Sequence, residues 1–409
     1  MMVNKWTKGL AALGLVSLPA MAEEAKLFPI NSTIQSTTLS GYVSSSASLV
    51  LGKGGDAVFG RSFDGPTKQN GFNLDVVSVV LEKPLEDGQW SAGYRVQSWL
   101  GPDAGSLSSV STASIVNGGK TSDFALKNAY VALRAPVGNG LDFKLGTWDT
   151  VVGYEVADSP NNPNYSRSWG FYLEPIIHTG ALATYQVSKV LSLSGGVATR
   201  GDVNNINARS GTRGIWSYVG SIALTAPESA GFLKGATLYG GVVDAGIGTT
   251  THAGNPVPSI TPDNRNPLNL YVGGSIPTPL TGVSVGAAYD YRASYLFDGS
   301  YENALGGYLT WAATEKLKLN GRVEYASGSG TVPGSTSGAF GVPTTDLSGN
   351  TSDNVKLLGV TGTLDYSLWA NAITRLEIRW DETLNGQRIM NDGYARSVIS
   401  VGLNVIYKF

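Results

Sequence analysis

Four charged side chains occupy every second position of a segment near the carboxyl terminus. The segment AITRLEIRWD, residues 372–381, carries them in this order: Arg375, Glu377, Arg379 and Asp381. Because successive side chains of a strand point to opposite faces, the apolar residues between them fill the other face. A charged side chain that faces lipid near the bilayer midplane costs roughly 2–4 kcal/mol. The pattern therefore predicts a membrane strand whose charged face borders water, where it can attract or repel ions.

Other segments repeat this alternation. Residues 317–327 and 90–101 each place charged or amide side chains on one face and apolar ones on the other. Rings of charge along a water-filled interior tune ion preference. The candidate pore-lining residues are Arg95, Lys144, His178, Arg292, Lys318, Arg322, Glu324, Arg375, Glu377, Arg379, Asp381 and Arg396. An alternative is that neighbouring Arg and Glu side chains satisfy each other, so the basic excess does not define ion selectivity.

A long aromatic segment, residues 151–175, separates two alternating segments at 141–150 and 176–187. Long loops in compact domains tend to be functional or disordered, and the aromatic content argues against a solvated linker. We expect this loop to fold into a barrel and narrow it. Glu155, Asp158 and Glu174 would supply negative charge at the constriction, with Arg167 opposing them. The alternative is a loop that packs over the mouth as a cap.

The amino terminus predicts export. Lys5 and Lys8 precede an apolar run of about ten residues, which is too short for a membrane span of about 20, and a small-residue ending follows. This arrangement is typical of a signal peptide, here residues 1–22. A short periplasmic segment, 23–36, and a barrel, 37–409, would follow.

Composition excludes several classes of function. The chain has no Cys and only two His, so we expect no disulfide, covalent haem, metal site or other cofactor. Its formal net charge is −2, and no basic patch indicates nucleic acid. After Ala22 no apolar run is long enough to span a membrane as a helix. A Gly-rich exported chain with this pattern enters a membrane as a closed β-barrel.

Alternating segments predict an all-β, antiparallel up-and-down transmembrane barrel of sixteen strands, with fourteen to eighteen possible. They lie at 37–50, 72–84, 90–101, 123–135, 141–150, 176–187, 190–200, 214–226, 234–246, 268–277, 282–293, 302–313, 317–327, 354–367, 372–382 and 394–409. Short and long connections alternate, as in outer-membrane barrels. The aromatic loop is then the third outer loop. Tyr407 and Phe409 end the last strand and resemble the signal read by the barrel assembly machinery.

Four stretches resemble the β-barrel porin family 2, the OmpL-like porins of Gram-negative bacteria. They are PVGNGLDFKLG (136–146), GYEVADSPNNPNYSRS (153–168), EPIIHTGALATYQVS (174–188) and LEKPLEDGQWSAGYRV (81–96). The family commonly has Gly-Lys-Phe where this chain has Gly146, Thr147 and Trp148. The resemblance implies an outer-membrane channel and is densest around the aromatic loop.

We therefore expect a passive channel for ions and small hydrophilic solutes in the outer membrane, surrounded by lipid and capable of forming a homotrimer. A channel that prefers particular solutes, such as sugars or small organic acids, and a structural or adhesive barrel are the alternatives. An enzyme is not expected, because a nucleophile needs its base within hydrogen-bond reach. His178 on an inward strand face and His252 in a loop are poorly placed for lipid hydrolysis.

Overall fold

The structure is a computed structural model of the 409-residue chain. It describes residues 28–29, 36–52, 61–64, 68, 70–87, 90–107, 122–199, 204, 206–207, 216–245, 267–293, 299–329, 338–342, 354–388, 390 and 395–409. The proposed signal peptide, most of the segment 23–36 and His252 lie outside these residues.

Sixteen antiparallel strands close into a barrel, as the alternation predicted. The strands are β1 (Thr38–Leu51), β2 (Gly71–Lys83), β3 (Ser91–Leu100), β4 (Phe124–Ala135), β5 (Leu141–Asp149), β6 (Ile177–Gln186), β7 (Leu191–Ala198), β8 (Ser217–Thr225), β9 (Thr237–Asp244), β10 (Leu268–Pro277), β11 (Val283–Ala293), β12 (Tyr301–Ala312), β13 (Leu317–Ser329), β14 (Asn354–Trp369), β15 (Ala372–Thr383) and β16 (Ser397–Lys408). Each strand pairs with its neighbours in sequence, and β16 pairs with β1 to close the ring. A two-residue strand, Phe28–Pro29, pairs with the start of β1. The predicted boundaries are within three residues of these.

The two faces of the wall differ as their residue types dictate. On β13, Val323 is 54% exposed, whereas the adjacent Arg322 is 1% exposed. Apolar side chains on the outer face contact lipid at no cost in hydrogen bonding, while the barrel closes every backbone hydrogen bond between strands. The inner face of the wall can therefore carry charge.

Short connections join the strands at one end of the barrel and longer ones at the other; in outer-membrane barrels the short connections are periplasmic. Among the described residues, 3₁₀ turns occur in four of the connections, three of them at Pro102–Ser106, Glu228–Leu233 and Ala339–Gly341. Within the described residues, no helix is both long and apolar enough to cross a membrane.

The third outer connection, residues 150–176, is called loop 3 here. Sequence reasoning assigned it no regular structure, but it contains a 3₁₀ turn at Ser159–Asn161 and a short helix, α1 (Trp169–Leu173). Ser168 caps α1, because its hydroxyl accepts a hydrogen bond from the Phe171 amide at 3.0 Å. Side-chain capping satisfies an amide that a helix of this length cannot pair internally. A capping residue is a local sequence signal, and a search for alternating strand residues does not detect it.

Candidate functional site

Loop 3 contacts the lumen face of β13–β15 through its backbone. The amides of Tyr165 and Ser166 donate to the two carboxylate oxygens of Glu377, at 2.6 and 3.0 Å. The amide of Trp169 donates to Glu324 Oε1 at 2.5 Å. Hydrogen bonds to an ionised acceptor are stronger than neutral ones. Two predicted wall carboxylates therefore hold the loop backbone.

Arg322 joins the wall to loop 3 from the centre of β13. Its guanidinium bonds Glu155 Oε1 at 2.9 Å, Glu324 Oε2 at 2.7 Å and the Ser166 carbonyl at 2.8 Å. The side chains of Arg322, Glu155 and Glu324 are each at most 1% exposed. A buried charge requires this kind of compensation, so these charges neutralise each other.

Arg375 and Arg379 extend the same contact along β15. Arg375 donates to the carbonyls of Ser159 and Asn162 at 3.0 and 2.8 Å, and Arg379 donates to that of Arg167 at 2.5 Å. Their carboxylate partners are Asp365 and Asp381, each at 2.9 Å. A guanidinium group carries several N–H donors in a fixed fork and can bind several acceptors at once. In Arg375 and Arg379, these donors bind loop carbonyls as well as wall carboxylates.

Asp158 binds the opposite side of the lumen wall. It accepts hydrogen bonds from Gln97 at 2.7 Å and from the Tyr42 hydroxyl at 3.2 Å, and it pairs with Lys127 at 3.1 Å. Burial alone would raise the pKa of the Asp158 carboxyl, but Lys127 and Arg95 outweigh burial and lower it. Asp158 therefore stays ionised.

Arg167 does not oppose the loop carboxylates as the sequence predicted. Its guanidinium donates to the carbonyls of Val156, Tyr165 and Ala157 at 3.0, 2.9 and 2.7 Å. It also lies over the rings of Phe63 and Phe171, at 5.4 and 5.7 Å from their centroids. Burial lowers the pKa of Arg167. The five N–H donors of the Arg167 guanidinium need nearby acceptors once water is excluded. The carbonyls of loop 3 supply these acceptors, so Arg167 stabilises the loop from inside.

Glu174 lies close enough to a second carboxyl group, Asp290 of β11, for that group to affect its pKa. Glu174 is 8% exposed and Asp290 is 4% exposed. Burial, followed by the neighbouring Asp290, raises the pKa of Glu174 well above its ordinary value. Two neighbouring buried carboxyl groups disfavour each other's ionised form.

The remaining predicted wall residues have more varied surroundings. Arg95 pairs with Glu82 at 2.7 Å, and Arg292 pairs with Glu302 at 2.6 Å. Lys144 Nζ lies 5.1 Å from the centroid of the Tyr130 ring. Lys318 is half-buried at the periplasmic end of β13.

Several pore-lining assignments require correction. Six wall residues are at most 2% exposed because loop 3 covers them, so they do not line an open passage: Arg322, Glu324, Arg375, Glu377, Arg379 and Asp381. His178 is on the inward side of β6 but is only 1% exposed, with its ring 5.0 Å from that of Trp148 and its Nε2 3.0 Å from Thr150 Oγ1. It is thus covered rather than lining an open passage. Arg396 is exposed and precedes β16, which begins at Ser397 because the last wall pair is Glu382 with Ser397. Arg396 therefore belongs to the outer loop.

Sequence reasoning missed Lys127, the cation between two carboxylates. Its Nζ is 2.5 Å from Asp149 and 3.1 Å from Asp158. A register shift at Gln97 and Ser98 of β3 inserts an extra residue in β4, and such bulges disrupt alternation. The irregular pattern of residues 123–135 was the available signal. Within the described residues, no group of three or more His, Asp or Glu side chains could hold a metal ion.

A closed sixteen-strand antiparallel barrel with an apolar outer face and a charged inner face defines an outer-membrane porin. The family model described as "Putative beta-barrel porin-2, OmpL-like" matches residues 36–409. The chain belongs to this family of outer-membrane porins. A search of curated proteins finds no match.

Solved porin structures share the fold at low sequence identity. The outer-membrane channel DcaP of Acinetobacter baumannii is similar with a TM-score of 0.54 and 12% identity, covering 91% of this chain and 97% of that one. The anion-selective porin from Comamonas acidovorans gives 0.52 and 11%, covering 91% and 99%. OmpT of Vibrio cholerae in its trimer form gives 0.52 and 10%, also covering 91% and 99%.

Proposed function

We propose that this porin is a passive channel through which ions and small hydrophilic solutes diffuse across the outer membrane. The observation that carries the proposal is the closed barrel whose inner face bears Arg, Asp, Glu, Ser and Thr side chains over its whole height. A sixteen-strand barrel leaves an aqueous interior unless something fills it. Charged inner faces and apolar outer faces give such a barrel a water-filled path through lipid.

In the proposed channel, loop 3 folds into the barrel and forms its constriction. Support comes from the hydrogen bonds that join loop 3 to lumen-facing side chains on β13–β15 and, through Asp158, to β3 and β4. A cap above the mouth would not reach side chains at mid-strand such as Arg322 and Glu377. The predicted constriction residues would hold loop 3 in position inside the barrel; they are Glu155, Asp158, Arg167 and Glu174.

The proposed function involves no catalysis. The base that the sequence offered on the wall, His178, is enclosed by Trp148 and its Nε2 is bonded to Thr150. A general base needs the proton of its nucleophile within hydrogen-bond reach. Thr150 is half-buried and lines a recess inside the barrel, which does not favour hydrolysis of lipid outside the barrel.

Export, assembly and oligomerisation complete the proposal. Residues 1–22 would act as a signal peptide, and Tyr407 with Phe409 would be read by the barrel assembly machinery. Similarity to the trimer form of OmpT supports a homotrimer in outer-membrane lipid. Cross-linking of the purified protein in detergent, followed by mass measurement, tests the trimer: a species of three chains is expected, and a lone monomer would contradict it.

A liposome-swelling assay tests passive diffusion. Proteoliposomes are shifted into iso-osmotic sugars of increasing size, and swelling rates are measured over a range of solute concentrations. A passive channel predicts rates that fall with solute size and rise in proportion to concentration. Saturation at low concentration would indicate a channel that prefers that solute, and an absence of swelling with every solute would indicate a structural barrel.

A further inference from the structure

Five adjacent strands, β6–β10, form an arc of wall with almost no charge. Asp244, the last residue of β9, is the one Asp, Glu, Lys or Arg in their sequences. It pairs with Tyr218, which is 60% exposed on the outer face. The lumen face of this arc carries hydroxyl, amide, small and apolar side chains instead. We call β6–β10 the uncharged arc.

Loop 3 covers the opposite, charged wall. Lumen-facing side chains at mid-height of β13–β15 are almost completely buried, including Arg322 at 1%, Thr363 at 3% and Glu377 at 2% exposure. Ala326, farther along β13, is 0% exposed beside Trp169 and Phe340. The ionic hydrogen bonds described above hold the loop there. A solute therefore has no room between loop 3 and β13–β15.

Contacts between loop 3 and the uncharged arc are of a different kind. Within the described residues, the loop is hydrogen-bonded to the arc by Asn269, which donates to the Leu173 carbonyl at 2.7 Å, and within its own hairpin by His178. Otherwise it packs through apolar side chains: Val152 belongs to a buried cluster with Leu182, Val219, Val243 and Tyr271 of the arc, and its Cγ1 would lie 2.7 Å from a Cβ at Gly241. Apolar packing lacks the directional bonds that hold the other side, so this seam opens more readily.

Several hydroxyl groups beside this seam keep access to open space. Ser221, which pairs with Gly241, is half-buried, as are Tyr239 and Thr184. Ser221 and Tyr239 line a recess whose other side is formed by loop 3, Lys127 and Asp149. Asp149 and Asp158 share Lys127 within that recess, so most of its fixed charge is compensated. The recess thus has one hydroxyl-bearing side and one nearly neutralised side.

From this asymmetry we infer that the permeation path is off-centre, running between loop 3 and the uncharged arc, and that it favours small uncharged, hydroxyl-bearing solutes over anions of the same size. The inference rests on the proposed channel function. Hydroxyl groups on the arc replace part of the solute's hydration, whereas an anion that enters the path loses water and meets no cation on the described strands of the arc. Val152 packs against Gly241 on this path.

The absence of Cys from the sequence makes cysteine accessibility the direct test. Ser221→Cys places a thiol on the proposed path, and Ala326→Cys places a matched thiol on the covered wall. Each variant is reconstituted in a planar bilayer and treated with a small charged methanethiosulfonate reagent. Loss of most of the conductance in Ser221→Cys, with no change in Ala326→Cys, is the expected result. Equal reaction at both sites, reaction at Ala326→Cys alone, or reaction at neither would overturn the off-centre path.

A second pair of variants repeats the test in case a variant of the first pair fails to fold. Thr184→Cys on the arc and Ala304→Cys on the covered wall repeat the comparison with side chains of similar burial to the first pair. Liposome swelling in glucose and in gluconate tests the solute class on the unmodified protein. Faster swelling in glucose is expected, and equal or faster swelling in gluconate would overturn the preference. A folded wild type without conductance would refute the channel itself, whereas a conducting wild type with the wrong cysteine pattern would refute the path alone.

Discussion

Arg322 of β13 and Glu155 of loop 3 form a buried ion pair across 2.9 Å, although 167 positions separate them in the sequence. Removing one member of a buried pair leaves the other charge uncompensated and costs about 3–5 kcal/mol. We expect Arg322→Ala to release loop 3 from β13, giving larger and noisier single-channel currents.

Lys356→Ala is the matched control, because Lys356 is an exposed cation on the neighbouring strand β14. Its currents should equal those of the wild type. If Arg322→Ala gave wild-type conductance with an intact barrel, the pair would not position the loop.

Lys127 balances two carboxylates in the recess. Lys127→Met removes the cation and leaves Asp149 and Asp158 with uncompensated negative charge. Because fixed charge along a narrow path sets ion preference, the reversal potential under a salt gradient should shift toward cation selectivity. Lys316→Met, in an exposed periplasmic turn, should leave the reversal potential unchanged. A shift toward anions in Lys127→Met would contradict the assigned geometry.

The raised pKa of Glu174 predicts that the channel responds to rising pH. Its pKa is raised well above the ordinary carboxyl value by burial and by Asp290, with Glu155 adding to the effect. A group with a raised pKa in the folded state stabilises that state fully below its unfolded pKa, and this contribution is lost as pH rises through the raised pKa. The carboxyl-terminal end of loop 3 should therefore loosen as pH rises above the ordinary carboxyl range, with conductance increasing.

Glu174→Gln separates ionisation from hydrogen bonding. The amide can still form hydrogen bonds but cannot ionise, so the conductance of the variant should vary less with rising pH than that of the wild type. The measurement is single-channel conductance across a pH series at constant ionic strength. Identical pH profiles for the two proteins would show that this pair does not control the loop.

Phe409 ends the chain against β1. Its amide donates to the Gly41 carbonyl at 3.0 Å and its carbonyl accepts from the Gly41 amide at 2.9 Å, while its ring lies where a Gly41 side chain would stand. Phe409→Ser should reduce the amount of folded protein in the outer membrane, measured by heat-modifiable mobility on a gel. Phe409→Tyr keeps the ring and should assemble normally. Equal yields of all three proteins would show that the terminal ring is not an assembly signal.

The barrel was predictable because its wall repeats one rule. Leu376 and Arg379 face lipid and lumen respectively because of residue type alone, and sixteen such segments indicated the strand count. Lys127 escaped this reasoning because a bulge in β4 turns two successive residues, Lys127 and Asn128, toward Asp149. The poor alternation of residues 123–135 indicated an irregularity but not which residue is inserted.

The arrangement of the charges was less predictable than their presence. Sequence reasoning treated Glu155 and Arg322 as opposing sides of an open lumen, whereas they are in direct contact. It also gave Glu174 a free negative charge, whereas burial and the neighbouring Asp290 raise the pKa of Glu174 and disfavour that charge. Such partners depend on how a loop packs across the barrel, because contacts between residues far apart in sequence follow from the tertiary fold and not from local periodicity.

Single-channel conductance of the wild type and of a variant that lacks Asp158–Ser168 tests the central claim most directly. The deletion removes the loop carbonyls that Arg375 and Arg379 bind, so a channel narrowed by loop 3 should conduct in discrete ohmic steps that become larger in the variant. A folded barrel without any conductance would contradict the channel. Steps of unchanged size would contradict the constriction and favour a loop that lies over the mouth.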